Sequence, residues 1–198
     1  RTVADVALLV SRTKISGKKV SFVPTMGAIH DGHLSLIELA KQNSDLVVAS
    51  IFVNPLQFNS TADFELYPRN EDADAKALNK AGVDVLFLPT VDEVYPDGNF
   101  AIIQKAGPAG ELYEGAARPG HFDGMLTVVS KLFDIVQPDV AIFGAKDAQQ
   151  LFLIRQMVKA QNPLGTRDPI EIIEGPTIRD SKGLSLIHIS EPTRLRRI

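Results

Sequence analysis

The chain contains no cysteine, which removes disulfides, thiolate nucleophiles and Cys-ligated zinc or iron–sulfur centres from its chemistry. It has little excess charge of either sign. Lys and Arg number 21 against 24 Asp and Glu, a net of −3, so there is no polycationic field to gather nucleic acid or an anionic membrane. No apolar run reaches the length of a membrane span, and Arg1-Thr2-Val3-Ala4-Asp5 lacks the apolar core of a signal peptide. The expectation is a cytoplasmic protein with neither nucleic acid nor membrane as partner. An initiator Met is also missing, and the first residues already read as an amphipathic helix with Val6, Leu8, Leu9 and Val10 as its apolar face, as a clipped start would. What is present, 198 residues with 44% hydrophobic and 23% charged content, suits one domain. Its chemistry must come from His, Lys, Arg, carboxylates or backbone.

Short β-branched runs alternate with stretches of helical period. Val20–Val23, Leu46–Val53, Val83–Leu88, Val140–Phe143 and Ile170–Ile173 read as strands, and helices are expected around Leu34–Gln42, Asp72–Lys80, Leu126–Val136 and Ala148–Ala160. Strands separated by helices in this way argue for right-handed βαβ units and a doubly wound, parallel α/β sheet of the Rossmann type. Phe133, Phe143, Leu151 and Ile154 are its core. Ligands bind such sheets beyond the carboxyl ends of the strands, and three polar segments follow strands here: Pro24 to His33, Asn54-Pro55-Leu56-Gln57-Phe58, and Gly144 to Gln150.

The first segment is the most informative. Gly27 and Gly32 let backbone approach a ligand, while His30 and His33 flank the start of a helix, whose free N–H groups and positive dipole end favour a phosphate. The His-x-x-His spacing does not set both rings on one helical face as zinc ligands, and a blander reading has Asp31 capping the helix with both histidines on the surface. Lys146 lies between a strand and a helix, where an ammonium can reach nucleotide phosphates, and Asp147 beside it can cap the helix or meet Mg2+; a solvated cap is the plainer alternative. Gln57 and Gln150 offer uncharged donors and acceptors for a small polar substrate, Asn54 shapes its loop, and Arg118 could add an anion contact.

Five segments, in order, carry a resemblance: Pro24-Thr25-Met26-Gly27 leading to His30-Asp31-Gly32-His33; Ile51 to Phe58; Tyr67-Pro68-Arg69; Arg118-Pro119-Gly120-His121-Phe122; and Phe143-Gly144-x-Lys146-Asp147-x-Gln149-Gln150. Together they resemble the pantothenate synthetase (pantoate–β-alanine ligase) family of HIGH-motif nucleotidyltransferases. The resemblance implies Mg2+-assisted, ATP-dependent condensation of pantoate with β-alanine through a pantoyl adenylate, with AMP and pyrophosphate as products beside pantothenate, and a homodimer. It implies that Met26, Gly27, Ala28, Ile29, His30, Asp31, Gly32 and His33 line the ATP site, with His33, His30 and Lys146 catalytic. Gly144, Ala145, Lys146, Asp147 and Ile178 would complete that site, and Gln57, Gln150, Asn54 and Arg118 would hold pantoate or β-alanine. Ala145 departs from the family's usual Glu.

The resemblance runs to about Gly183, where the family continues into a Ser-Ser-Arg-Asn segment and a C-terminal lid domain. From Leu184 the chain instead reads Leu-Ser-Leu-Ile-His-Ile-Ser-Glu-Pro-Thr-Arg, which resembles the direct translation of a transposon-based sequencing adapter. Residues 1–183 are thus expected to form the ATP- and pantoate-binding domain, 184–198 to be a non-native tail, and the chain as it stands to turn over poorly. The Asn162–Pro169 segment is expected to be a surface loop. The alternatives are another HIGH-motif nucleotidyltransferase, acting on a phosphopantetheine or nicotinamide compound, and a non-catalytic nucleotide-binding or oligomerisation module.

Overall fold

Runs such as Val20-Ser21-Phe22-Val23 and Leu46-Val47-Val48-Ala49-Ser50-Ile51 are apolar on both sides of the pleat, the composition of strands covered on both faces. In the computed structural model, which describes residues 2–161 and 169–179, they become β1 (Val20–Thr25) and β2 (Leu46–Ile51) of a five-stranded parallel sheet. With β3 (Val85–Phe87), β4 (Val140–Gly144) and β5 (Glu171–Gly175), the strand order is β3-β2-β1-β4-β5. The β1–β2 register runs from Val20 opposite Leu46 to Thr25 opposite Ile51. The fold is α/β and doubly wound, as the alternation of elements implies. The tail 184–198 and residues 162–168 of the expected surface loop lie outside the described residues.

Successive strand residues serve opposite layers. Phe22, Val48, Ala141 and Phe143 face one side, against α1 (Val3–Ile15), α7 (His121–Val136) and α8 (Ala148–Gln161). Val23, Val47, Ala49, Val140 and Ile142 face the other, against α2 (Asp31–Asn43) and α4 (Glu71–Ala81). Shorter helices α3 (Thr61–Glu65), α5 (Val91–Val94) and α6 (Glu114–Ala117) lie in the connections. Among the described residues no helix is long and apolar enough to cross a membrane. Phe133, Phe143, Leu151 and Ile154 are all buried.

Several local expectations change: β3 is Val85–Phe87 rather than Val83–Leu88, and β5 is Glu171–Gly175 rather than Ile170–Ile173. Leu8 points to solvent at 53% exposure, because α1 turns Val3, Val6, Leu9 and Val10 inward and Leu8 falls outside that stripe. β2 stops at Ile51, since the Asn54-Pro55 turn follows at once. Helix α7 begins at His121 rather than near Leu126, so His121 and Phe122 are buried in its first turn. The chain winds outward from β1 to β3 and then crosses back to add β4 on the other side of β1. That reversal opens a crevice between the carboxyl ends of β1 and β4.

Candidate active site

The loop leaving β1 is held in an unusual conformation. Gly27 has φ +91° and Ala28 φ +51°, both left-handed, a region that costs a residue with a side chain roughly 1 kcal/mol. Asp74, buried on α4, holds the turn: its Oδ2 accepts from Ala28 N–H at 2.9 Å and its Oδ1 from Ile29 N–H at 2.8 Å. A Cβ on Gly27 would stand 2.9 Å from Asp74 Oδ2, so this position needs glycine for space as well as for φ. Thr25 accepts from Gly27 N–H and donates to the Ser50 carbonyl, tying the loop to β2. Asp74 escaped the sequence reading, although a carboxylate one turn before buried Leu78 on the inward stripe of a helix was a readable signal.

This loop delivers His30 and His33. The cap of α2 is His30, whose Nδ1 accepts from Gly32 N–H at 3.1 Å; Asp31 is the first helical residue and is exposed. His33 Nδ1 accepts from His30 N–H at 3.4 Å, and the two rings stack with centroids 4.1 Å apart. The surface reading is therefore corrected: His33 is buried and His30 half-buried. The rings also come side by side despite their spacing, because His30 precedes the helix and is free of its periodicity. With each Nδ1 accepting, the neutral rings carry their proton on Nε2. Burial, helped by the charge of Lys146, pushes the His30 pKa below its ordinary value of 6.5.

One cleft in the crevice is lined by His30, Gly32 and His33 from the first loop and by Gly144, Lys146, Asp147 and Gln150 from the β4–α8 junction, with Pro176, Thr177 and Ile178 beyond β5. Lys146 Nζ lies 3.0 Å from Asp147 Oδ1. Asp147 is the single carboxylate on that lining, and the described residues hold no cluster of three or more metal-ligating side chains. Ala145 opens the short turn that carries Lys146. Gln149 instead clamps the 109–114 loop, donating to the Ala109 and Leu112 carbonyls.

The second polar group lies at the end of β2. Gln57 is buried; its Nε2 donates to Met26 Sδ at 3.1 Å, and its backbone carbonyl meets His121 Nδ1 at 2.8 Å. Asn54, also buried, donates from Nδ2 to Gln57 Oε1. Met26 joins a second cleft between the ends of β2 and β3, lined also by Val53, Arg69, Asp74 and Thr90. Arg118 stands apart from both clefts, its guanidinium bonded to Glu114 Oε1 at 2.8 Å.

The sequence model described as Pantoate-beta-alanine ligase matches residues 1–188. The chain belongs to the pantoate–β-alanine ligase family. Among relatives within it, the pantothenate synthetase of Acidothermus cellulolyticus is 52% identical over 185 residues, covering 93% of this chain and 58% of its own length. That of Pseudomonas fluorescens is 51% identical over 189 residues, covering 94% of this chain and 64% of its own. The pantothenate synthetase crystal structure from Thermus thermophilus superimposes with a TM-score of 0.85 at 46% identity, over 94% of this chain and 64% of that one. The Francisella tularensis pantoate-beta-alanine ligase, solved in complex with beta-gamma ATP and beta-alanine, gives 0.87 at 43% identity, over 94% and 69%. The chain thus spans about three-fifths of the length of these curated family members.

Proposed function

We propose that the protein to which this chain belongs condenses pantoate with β-alanine at the expense of ATP, through a pantoyl adenylate. The observation that carries this reading is the pair of stacked imidazoles, each accepting a backbone N–H at Nδ1, lining one cleft with the Lys146 ammonium at the switch point of a parallel sheet. Two N–H donors, one fixed cation and a helix N-terminus suit a triphosphate. A pantoate carboxylate oxygen would attack the α-phosphorus while the bond to the bridging oxygen of the β-phosphate breaks, releasing pyrophosphate. Charge grows on the leaving phosphates in that step, and His33, His30 and Lys146 are fixed before it begins, so no reorganisation opposes them. The β-alanine amine then attacks the acyl carbon and AMP leaves.

Gln57 and Gln150, with Asn54 behind Gln57, are assigned to the pantoate and β-alanine side, and the Gly27–Ile29 backbone with Ile178 to the nucleotide. Arg118 is assigned to substrate with its guanidinium first released from Glu114. Mg2+, which keeps much of its water and takes phosphate oxygens, needs few protein ligands; Asp147 is the residue that would hold it, and the bound ion would supply the counter-charge to the triphosphate. The same reading makes the working enzyme a cytoplasmic homodimer, which light scattering checks.

The test joins this chain to the part of the Acidothermus cellulolyticus relative that the match leaves uncovered. Supplied with ATP, pantoate and β-alanine, it is expected to form AMP, pyrophosphate and pantothenate in equal amounts. Formation of ADP and phosphate, or nucleotide transfer to a phosphopantetheine or nicotinamide compound in place of pantoate, would refute the reading.

A further inference from the structure

Gln57 can orient a substrate only if its amide has one fixed sense. The sense is set from Asn54. Asn54 Oδ1 accepts from Leu56 N–H at 3.3 Å, and its Nδ2 donates to the Gly124 carbonyl at 3.1 Å, so its nitrogen also meets Gln57, at 3.1 Å from Oε1. The amide of Gln57 is thereby obliged to turn Nε2 toward Met26 and the end of β1. Behind Asn54 stands Tyr95, fully buried and 41 positions away in sequence, whose hydroxyl donates to Asn54 Oδ1 at 2.7 Å, the shortest bond in the group.

We propose that Tyr95 is a positioning residue for the substrate bound at Gln57, acting through Asn54 to make Gln57 present an N–H donor to a carboxylate or hydroxyl oxygen. The inference rests on the functional reading given above for the identity of that substrate. The ring of Tyr95 packs on Phe52 and Phe100 and lies under the Lys131 ammonium, work that a phenylalanine ring would do equally well. The hydroxyl is different: it is buried, and its bond to Asn54 is what offsets its desolvation. Burial also pushes the phenol pKa upward, so it stays a donor throughout the working range of the protein.

Tyr95→Phe separates the two roles. In the completed chain it is expected to raise KM for pantoate about tenfold, the effect of one buried hydrogen bond, with KM for ATP within about twofold of the parent. In a Gln57→Ala background the same substitution should add nothing, because the relay has lost its last member. An unchanged KM for pantoate, or an equal loss in both backgrounds, would overturn the proposal. If the unsubstituted completed chain shows no pantoate-dependent turnover, the functional reading fails, and the relay is judged by the side-chain 15N resonance of Gln57. Tyr95→Phe should shift that resonance, and an unmoved signal rejects the relay. Should Tyr95→Phe not fold, the unsubstituted protein decides: a slowly exchanging Tyr95 hydroxyl proton with a nuclear Overhauser contact to Asn54 supports the relay, and a freely exchanging one contradicts it.

Discussion

Asp74 holds the geometry of the loop after β1, since two backbone N–H groups of that loop end on its carboxylate. Asp74→Ala would leave both half-buried donors without their acceptor and should destabilise the protein by about 2–4 kcal/mol, measured by urea unfolding, with weaker ATP binding by calorimetry. Asp74→Asn, which keeps one acceptor, should lose roughly half of that. For the cleft itself, His33→Ala and Lys146→Ala should each slow single-turnover adenylate formation about a hundredfold, the usual loss for one fixed donor to a developing charge. Protonation gives a further expectation. Burial lowers the pKa of both His30 and His121 from 6.5, so below that value the unfolded chain takes up protons that the folded protein resists. Their contribution to stability is complete above pH 6.5 and is lost as pH falls through the window beneath it. Urea midpoints should therefore drop on acidification, and His121→Asn should shrink the drop; an identical pH profile in that variant would contradict the assignment.

At the scale of elements, α7 shows what sequence could and could not reveal. Its apolar period is plain from Leu126 onward, but its first turn is hidden, because the loop-forming Pro119-Gly120 pair stands directly before it. The reason is tertiary: Gly124 lets the helix lie against the Pro55–Gln57 turn, and a Cβ there would run into the Leu56 carbonyl oxygen. Gly124→Ala should therefore cost about 1–3 kcal/mol of overpacking and raise KM for pantoate by displacing Gln57, which thermal unfolding and steady-state kinetics would report together. The strands β1, β2 and β4 are legible because each is a short, mostly apolar run rich in β-branched residues that ends in a polar turn. The Tyr95–Asn54 contact is not, since no local pattern links residues 41 positions apart. His30 shows the limit in another way: its motif is evident from sequence, yet its role as the cap, which brings it onto His33, emerges only with the backbone.

For the whole molecule, strand order decides where chemistry can occur. The reversal at β1 and β4 gathers loops that are more than a hundred residues apart into one crevice, and the alternation of strands and helices implies such an edge before the order is known. Asn54 and Gln57 occupy the neighbouring edge at β2, joined to the first loop through the Gln57–Met26 contact; under the proposed adenylation, nucleotide would lie on one side and acid on the other. The most direct test is exchange of labelled pyrophosphate into ATP by the completed chain, without β-alanine, in the presence and absence of pantoate. Exchange should depend on pantoate and fall about a hundredfold in His33→Ala; exchange that proceeds equally without pantoate, or that never appears with it, would contradict adenylation at this site.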